Sequence, residues 1–192
     1  MFEKVGIQTT FVGHPLANKI PLKSNKFKYR KMLKLKRKEL VIALLPGSRM
    51  GELKAHTDTL LETAQNLLEV HPDAKFLIPA TNDKNVHFIK GRIRNNPTKN
   101  IKLIKGKVDE ILSSANMAIA ASGTASLQIA LHKKPMIIIY KGSWISYFIW
   151  KMVRLIPNVS LPNILLNENF VPEMLQHRAT PVLLSEKASE LI

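Results

Sequence analysis

The 192-residue sequence contains no cysteine, and it has only 14 acidic residues against 29 lysines and arginines. The absence of cysteine excludes a disulfide-stabilised scaffold and any thiolate metal site. No apolar run reaches the roughly 18 residues that a membrane-spanning helix needs, and the amino terminus lacks the pattern of a signal peptide. We therefore expect a cytosolic protein with a single domain, because a chain of this length buries one core and is short for two.

The shortage of acid leaves a net charge of +15, and much of the excess lies in one short basic segment. Clustered positive charge suits an anionic membrane surface or nucleic acid. An equally good explanation is that lysine is simply the default solvent-facing residue of this sequence. Nucleic acid is the weaker partner, because no recognition helix or stacking platform is evident. The segment contains Lys19, Lys23, Lys26, Lys28, Arg30, Lys31, Lys34, Lys36, Arg37 and Lys38.

Beyond this segment, strand patterns alternate with helix patterns. Short apolar runs predict strands at 40–45, 75–79, 101–104, 117–121 and 136–140, with helices at 51–70 and 85–94, after a cap at Asp109, and after Gly123. This alternation predicts an α/β fold, a Rossmann-like parallel sheet with helices on both faces and ligands at the carboxyl ends of the strands. We also expect a strand at 5–12, a linker-like stretch to Lys38 and a helix beginning at Leu183. The abrupt ends favour a piece of a larger protein.

Two of the predicted strands end in a glycine and serine turn where a helix begins. The first junction, residues 46–52, starts Pro-Gly-Ser-Arg, and the second junction, residues 122–128, starts Ser-Gly-Thr. Unpaired backbone N–H groups at such turns bind anions. Arg49 adds a planar fork for phosphate, and Gln128, one turn beyond Thr124, lies where it could reach a ribose. Two such junctions predict a nucleoside diphosphate site, although each could also be an ordinary helix cap.

Residues 144–156 combine aromatic and basic side chains. This composition suits a membrane interface or a lipid-chain groove, and it equally suits a core helix or a buried domain interface. The candidates for lipid contact are Trp144, Tyr147, Phe148, Trp150, Lys151 and Arg154.

Residues 157–163 are predicted to form a loop in which Asn163 presents a free amide to a ligand or to a backbone turn. The six histidines include no i, i+4 pair and no accompanying carboxylate pattern. The sequence also lacks a serine nucleophile elbow and a phosphate loop ending in Gly-Lys-Ser/Thr. We therefore expect neither a metal nor a cofactor.

Five motifs, taken in order, resemble the lipid A disaccharide synthases. They are Phe11–Leu16 (FVGHPL), Leu44–Arg49 (LLPGSR) with Glu52, Ala121–Ala125 (ASGTA), Ser160–Asn163 (SLPN) and Pro172–Gln176 (PEMLQ). The similarity runs across essentially the whole chain but covers only the second half of the family's sequence. The family has two Rossmann-like domains facing across a cleft, the glycosyltransferase B architecture. The resemblance implies that residues 1–38 are the last acceptor-domain strand and a basic crossover linker, and that 39–192 are a UDP-sugar-binding domain truncated at its carboxyl terminus.

The resemblance also implies an activity: transfer of 2,3-diacylglucosamine from its UDP donor to 2,3-diacylglucosamine 1-phosphate, which forms a β-1,6 disaccharide and releases UDP. This is inverting, metal-independent hexosyl transfer in lipid A biosynthesis, at the surface of the inner membrane. Arg49 and Asn163 match the family's catalytic residues, and the general base is expected in the missing half. The implied donor-binding residues are Gly47, Ser48, Arg49, Ser122, Gly123, Thr124, Gln128, Asn163, Glu173 and Gln176.

The sequence departs from the family in two ways. Gln128 stands where relatives usually have a glutamate that accepts from both ribose hydroxyls; a glutamine accepts from one and offers N–H groups to the other, so we expect weaker UDP binding. The acceptor half is missing as well. The chain is therefore either the donor half of a synthase, as a split subunit with a separate acceptor-domain chain or a segment of a longer protein, or a decayed UDP-binding fragment without turnover.

Overall fold

The computed structural model describes residues 6, 8, 10, 13–21, 25–142 and 158–192. Six parallel strands form one sheet in the order β3-β2-β1-β4-β5-β6. This is the doubly wound Rossmann order, which reverses between β1 and β4 and so leaves a crevice above their carboxyl ends. The strands are β1 Val41–Leu45, β2 Lys75–Ala80, β3 Ile101–Lys105, β4 Met117–Ala121, β5 Met136–Tyr140 and β6 Glu173–Leu175.

Helices cover both faces of the sheet. In β1, Ile42 and Leu44 belong to one core cluster, with the helices at 50–70, 83–95 and 181–191, whereas Val41 and Ala43 belong to a second cluster, with the helices at 108–114 and 124–131. Successive strand residues point to opposite faces, so a strand covered on both sides is apolar throughout. The helices in the described part are α1 Pro15–Lys19, α2 Lys26–Met32, α3 Met50–Val70, α4 Asp83–Asn95, α5 Val108–Ser114, α6 Thr124–Leu131, α7 Leu161–Leu166 and α8 Pro181–Leu191, with a 3₁₀ turn at Gln176–Arg178.

Most predicted elements are confirmed within a residue or two, and β4 and β5 have the predicted bounds. The predicted cap at Asp109 is wrong. Lys107 precedes α5 as its N-cap, with a left-handed φ of 55°, and Asp109 lies inside the first turn. In that position the positive end of the helix dipole still stabilises the negative charge of Asp109.

The basic segment is not the linker-like stretch that its composition predicts. It contains α2 and the last residue of α1, and Arg30 of α2 is only 2% exposed. The guanidinium donates to the carbonyl oxygen of Ser114 (3.0 Å), to Oδ1 of Asn116 (2.7 Å) and to the carbonyl oxygen of Arg37 (2.6 Å). Because its donors reach both Ser114 and Asn116, Arg30 fixes α2 to the turn between α5 and β4. The positive charge of Arg30 therefore has a structural role in the fold.

Two short elements near the carboxyl terminus also differ from expectation. Asn163 lies within α7 and not in a loop, and β6 was not predicted, since three residues are too few for a detectable pattern. The predicted strand at 5–12 lies largely outside the described residues, and the aromatic segment lies wholly outside them. No helix in the described ranges is long and apolar enough to cross a bilayer.

Candidate functional site

A cleft of about 350 Å³ opens at the carboxyl ends of β1 and β4, where the strand order reverses. Both junctions line it, together with residues that follow β2 and open α5. Seven predicted ligand residues are brought together here: Gly47, Ser48, Arg49, Ser122, Gly123, Thr124 and Gln128. Asn163, Glu173 and Gln176 are not among the residues lining this cleft.

The first junction binds a carboxylate of its own chain. One oxygen of Glu52, Oε2, accepts from the backbone N–H of Ser48 (2.8 Å) and of Arg49 (3.2 Å). The expectation that these N–H groups are unpaired is therefore wrong. Glu52 is the third residue of α3, from which a glutamate side chain reaches back to the helix start.

Gly47 allows the backbone of the first junction to pass close to the side chain of Glu52. Its φ is +115°, and a Cβ added there would overlap the Cβ of Glu52. The guanidinium of Arg49 lies 3.3 Å from the Glu52 carboxylate, and its side chain is 86% exposed at the rim of the cleft. An exposed pair of this kind is weak, so Arg49 can exchange Glu52 for an anionic ligand at little cost.

The second junction is open by comparison. Gly123 has a φ of +148°, and no side chain caps α6 within the described part of the chain. The Ser126 hydroxyl donates to the carbonyl oxygen of Gly123 (2.7 Å) and accepts from the N–H of Leu161 (3.2 Å), so it is engaged away from the first N–H groups of the helix. The Ser122 hydroxyl donates to the carbonyl oxygen of Val159 (2.7 Å). The first N–H groups of α6 therefore face the cleft without an internal carboxylate, as an anion site requires.

Gln128 belongs to a hydrogen-bonded group at the side of the cleft. Its Nε2 donates to Oδ1 of Asp109 (2.7 Å), which also lies 3.0 Å from Nε2 of His132. Burial opposes ionisation of Asp109, but the hydrogen bonds from His132 and Gln128 and nearby positive charge outweigh it and hold its pKa below the ordinary value. Asp109 and His132 were not predicted as site residues. The i, i+4 spacing of Gln128 and His132 on α6 is the signal that could have linked them.

Asn163 is 1% exposed and has no free amide. Its Nδ2 donates to the carbonyl oxygen of Val171 (2.9 Å) and to Glu173 (2.8 Å), and its Oδ1 accepts from the N–H of Val171 (2.8 Å). Of the two predicted roles for this amide, the structure shows the contact with backbone, because both its nitrogen and its oxygen bond to Val171. In this structure Asn163 ties α7 to the chain entering β6.

Glu173 and Gln176 hold the chain on either side of the aromatic segment. Glu173 accepts from the N–H groups of Val159 (2.9 Å) and Ser160 (3.0 Å). The Gln176 amide accepts from the N–H of Gly142 (3.0 Å) and donates to its carbonyl oxygen (3.2 Å). Both side chains therefore order loops near the cleft.

His56 connects the first junction to the end of β5, and the sequence analysis did not detect this. The ring is 2% exposed, with Nδ1 3.2 Å from the carbonyl oxygen of Pro46 and Nε2 accepting from the N–H of Lys141 (3.0 Å). The carbonyl can only accept, so Nδ1 carries the proton and the ring is neutral. Burial lowers the pKa of His56 and favours the same form.

Within the described ranges, no group of three or more histidine, aspartate or glutamate side chains is placed to hold a metal ion. The six candidates for lipid contact between Trp144 and Arg154 lie outside those ranges. Their role stays a prediction.

Comparison with known proteins places this chain among sequences of one family. The family model described as "Lipid-A-disaccharide synthetase" matches residues 1–192. A lipid-A-disaccharide synthase of Dechloromonas aromatica is 40% identical over 195 residues, which cover 100% of this chain and 51% of the relative. One of Aromatoleum aromaticum is 41% identical over 189 residues, covering 97% of this chain and 48% of the relative. The chain spans about half the length of these relatives.

Solved structures share the fold at low sequence identity. The E. coli ADP-heptose lipopolysaccharide heptosyltransferase II matches with a TM-score of 0.62 and 12% identity, over 86% of this chain and 50% of that one. The C-terminal domain of a group 1 glycosyl transferase from Francisella tularensis matches with a TM-score of 0.60 and 14% identity, over 93% and 87%. The predicted fold class is confirmed: a Rossmann-like sheet that forms one half of a glycosyltransferase B architecture.

Proposed function

Because the chain belongs to the lipid-A-disaccharide synthase family, we propose that it is the donor-binding half of a glycosyltransferase of lipid A biosynthesis. The donor is the UDP ester of 2,3-diacylglucosamine and the acceptor is 2,3-diacylglucosamine 1-phosphate. The transfer inverts the anomeric centre, forms a β-1,6 linkage and releases UDP. No cofactor takes part in this reaction.

The observation that carries the proposal is the meeting of both junctions in one cleft at the switch point of the sheet. The open amino terminus of α6 offers N–H groups to the diphosphate, and Arg49 stands at the opposite rim with its side chain exposed. As the sugar leaves, negative charge grows on the UDP diphosphate. Fixed N–H dipoles and an arginine stabilise that charge, which is the role a metal ion fills in other enzymes.

We assign Asn163 and Glu173 an indirect part in donor binding. Glu173 fixes the N–H of Val159, and the carbonyl of Val159 receives the Ser122 hydroxyl at the second junction. Asn163 donates to the same carboxylate. Gln176 acts similarly by fixing Gly142 at the end of β5. These residues support the donor site by fixing the backbone next to it, and none of them needs to contact the donor.

Turnover requires the acceptor domain and its general base, which in this proposal come from a separate chain or from the remainder of a longer protein. The lipid substrates place the reaction at the cytoplasmic side of the inner membrane. The basic segment and residues 144–154 are the proposed contacts with its anionic surface.

Thermal unfolding with increasing UDP tests the proposal. We expect UDP to raise the melting temperature of the wild-type chain and Arg49→Ala to abolish the increase. Arg94→Ala is the matched control, because Arg94 is an exposed arginine on α4, away from the cleft lining, and its removal changes the net charge equally. A flat UDP titration of the wild-type chain at millimolar ligand would contradict donor binding.

The second candidate function is a UDP-binding fragment without turnover. The glutamine at position 128 favours it. Mixing the chain with the acceptor half of a relative separates the two candidates. Disaccharide formation by the mixture refutes the decayed fragment, whereas UDP binding without product supports it.

A further inference from the structure

Gln128 stands between the cleft and a carboxylate outside the cleft lining. It lines the cleft, and its Nε2 donates to Oδ1 of Asp109 at 2.7 Å. Val108, the neighbour of Asp109, lines the cleft, but Asp109 does not. Asp109 therefore acts on this cleft through the side chain of Gln128.

The chemistry of the contact determines which end of the Gln128 amide faces Asp109. An ionised carboxylate has only acceptor atoms, so the nitrogen of the amide must face it. The lowered pKa of Asp109 keeps this carboxylate ionised near neutral pH. The amide oxygen, Oε1, is then the end left for a ligand.

His132 holds Asp109 in place from a second side. Its side chain is 1% exposed, and its Nε2 lies 3.0 Å from the same Oδ1. The other ring nitrogen, Nδ1, lies 3.3 Å from the Ser113 hydroxyl. Because Nε2 must donate to the carboxylate, Nδ1 is the nitrogen left for the contact with Ser113. Asp109 is thus anchored in the packed layer between α5 and α6 while its own side chain remains 58% exposed.

Resting on the proposed donor site, we propose that Asp109 is a positioning residue that turns Oε1 of Gln128 toward the cleft, where it accepts a hydrogen bond from one ribose hydroxyl of the nucleotide. An unconstrained glutamine presents either end to a ligand. The Asp109 contact makes Gln128 an acceptor, as a glutamate would be, without placing a charge in the cleft. This revises the expectation that Gln128 must offer N–H groups to the ribose.

Deoxynucleotides provide the first test. Isothermal titration compares UDP with its 2′-deoxy and 3′-deoxy analogues. One net hydrogen bond corresponds to roughly fivefold in affinity, so the wild-type chain should prefer UDP by about that factor over one of the analogues. In Asp109→Ala the preference should vanish, while binding of that analogue changes less than about twofold. Asp58→Ala is the control, because Asp58 pairs with Arg92, outside the cleft lining, and its removal costs the same charge.

A double-mutant cycle provides the second test. Gln128→Glu alone places a second carboxylate against Asp109, and two like charges at hydrogen-bond distance cannot both stay ionised without cost. We expect it to weaken UDP binding in the wild-type background. In the Asp109→Asn background the same change gains a donor from the asparagine amide, and we expect it to strengthen UDP binding. A reversal of sign demonstrates direct coupling.

The outcomes separate the two proposals. If Asp109→Ala binds UDP and both analogues with the wild-type preference, or if the cycle is additive, the positioning role is wrong and the donor site stands. If the wild-type chain binds neither UDP nor its analogues, the proposed donor site fails and the positioning role fails with it.

Discussion

The two junctions look alike in sequence and differ in what their N–H groups bind. Each is a strand followed by glycine, a hydroxyl-bearing residue and a helix. The third residue of the helix makes the difference. In α3 it is Glu52, which accepts from two backbone N–H groups, whereas in α6 it is Ser126, which donates to the Gly123 carbonyl. A glycine turn therefore predicts the backbone geometry, and the third helical position determines whether the anion site is already filled.

Substituting alanine for the glycine of each junction tests this difference. These substitutions should have the largest effect on stability. Gly123→Ala meets no atom within 4 Å but keeps a φ that only glycine adopts easily, so we expect a loss of roughly 2 kcal/mol. Gly47→Ala adds an overlap with Glu52, so we expect roughly 2 kcal/mol more. Urea unfolding measures both. Equal losses would show that the Glu52 contact does not constrain the first junction.

Removal of Glu52 should make the first junction resemble the second. Glu52→Ala loses the acceptor of two N–H groups, and we expect a loss of about 1 kcal/mol in the free energy of unfolding. It also leaves those N–H groups free, so inorganic phosphate should stabilise this variant more than it stabilises the wild-type chain. Glu52→Gln, which retains an acceptor oxygen, is the control and should lose less. A variant that responds to phosphate as the wild-type chain does would contradict the explanation.

Lowering the pH should reduce the stability of the fold through His56, which contacts the first junction. This is the smallest effect that we expect. The pKa of His56 in the fold lies below its ordinary value of 6.5, so the unfolded chain binds more protons below that pH. Stability therefore rises with pH, and the contribution of neutral His56 is lost as the pH falls below about 6.5. Urea unfolding between about pH 7.5 and 5.5 should show a shallower pH dependence for His56→Gln than for the wild-type chain. His87→Gln, at an exposed position, should retain the wild-type dependence.

The centre of the sheet could be predicted because β1, β4 and β5 are apolar on both faces. Val41–Leu45, Met117–Ala121 and Met136–Tyr140 are short apolar runs bounded by polar or turn residues, and burial under two helix layers requires that pattern. The positions of both junctions follow, since they are the ends of these strands. The seven residues gathered in the cleft were predictable for the same reason.

The side-chain contacts that could not be predicted join residues that are distant in sequence. Nothing in the pattern around Arg30 indicates that its guanidinium binds carbonyls beside β4, so charge alone favoured a linker. Asn163 and Glu173 resemble ligand residues by motif, but their polar atoms are engaged by Val171, Val159 and Ser160. Asp109 lies in α5 and His132 directly follows α6, and only the folded structure brings His132 and Gln128 to the same oxygen of Asp109.

The contacts made by Glu173 and Gln176 have a consequence for chain length. Glu173 in β6 and Gln176 in the 3₁₀ turn that follows it fix Val159 and Gly142, so one short segment holds both ends of the stretch between Gly142 and Val159. The entropy of closing that stretch is offset by hydrogen bonds outside it, and closure entropy grows only slowly with length. Insertions or deletions between Gly142 and Val159 should therefore change the geometry of the cleft little.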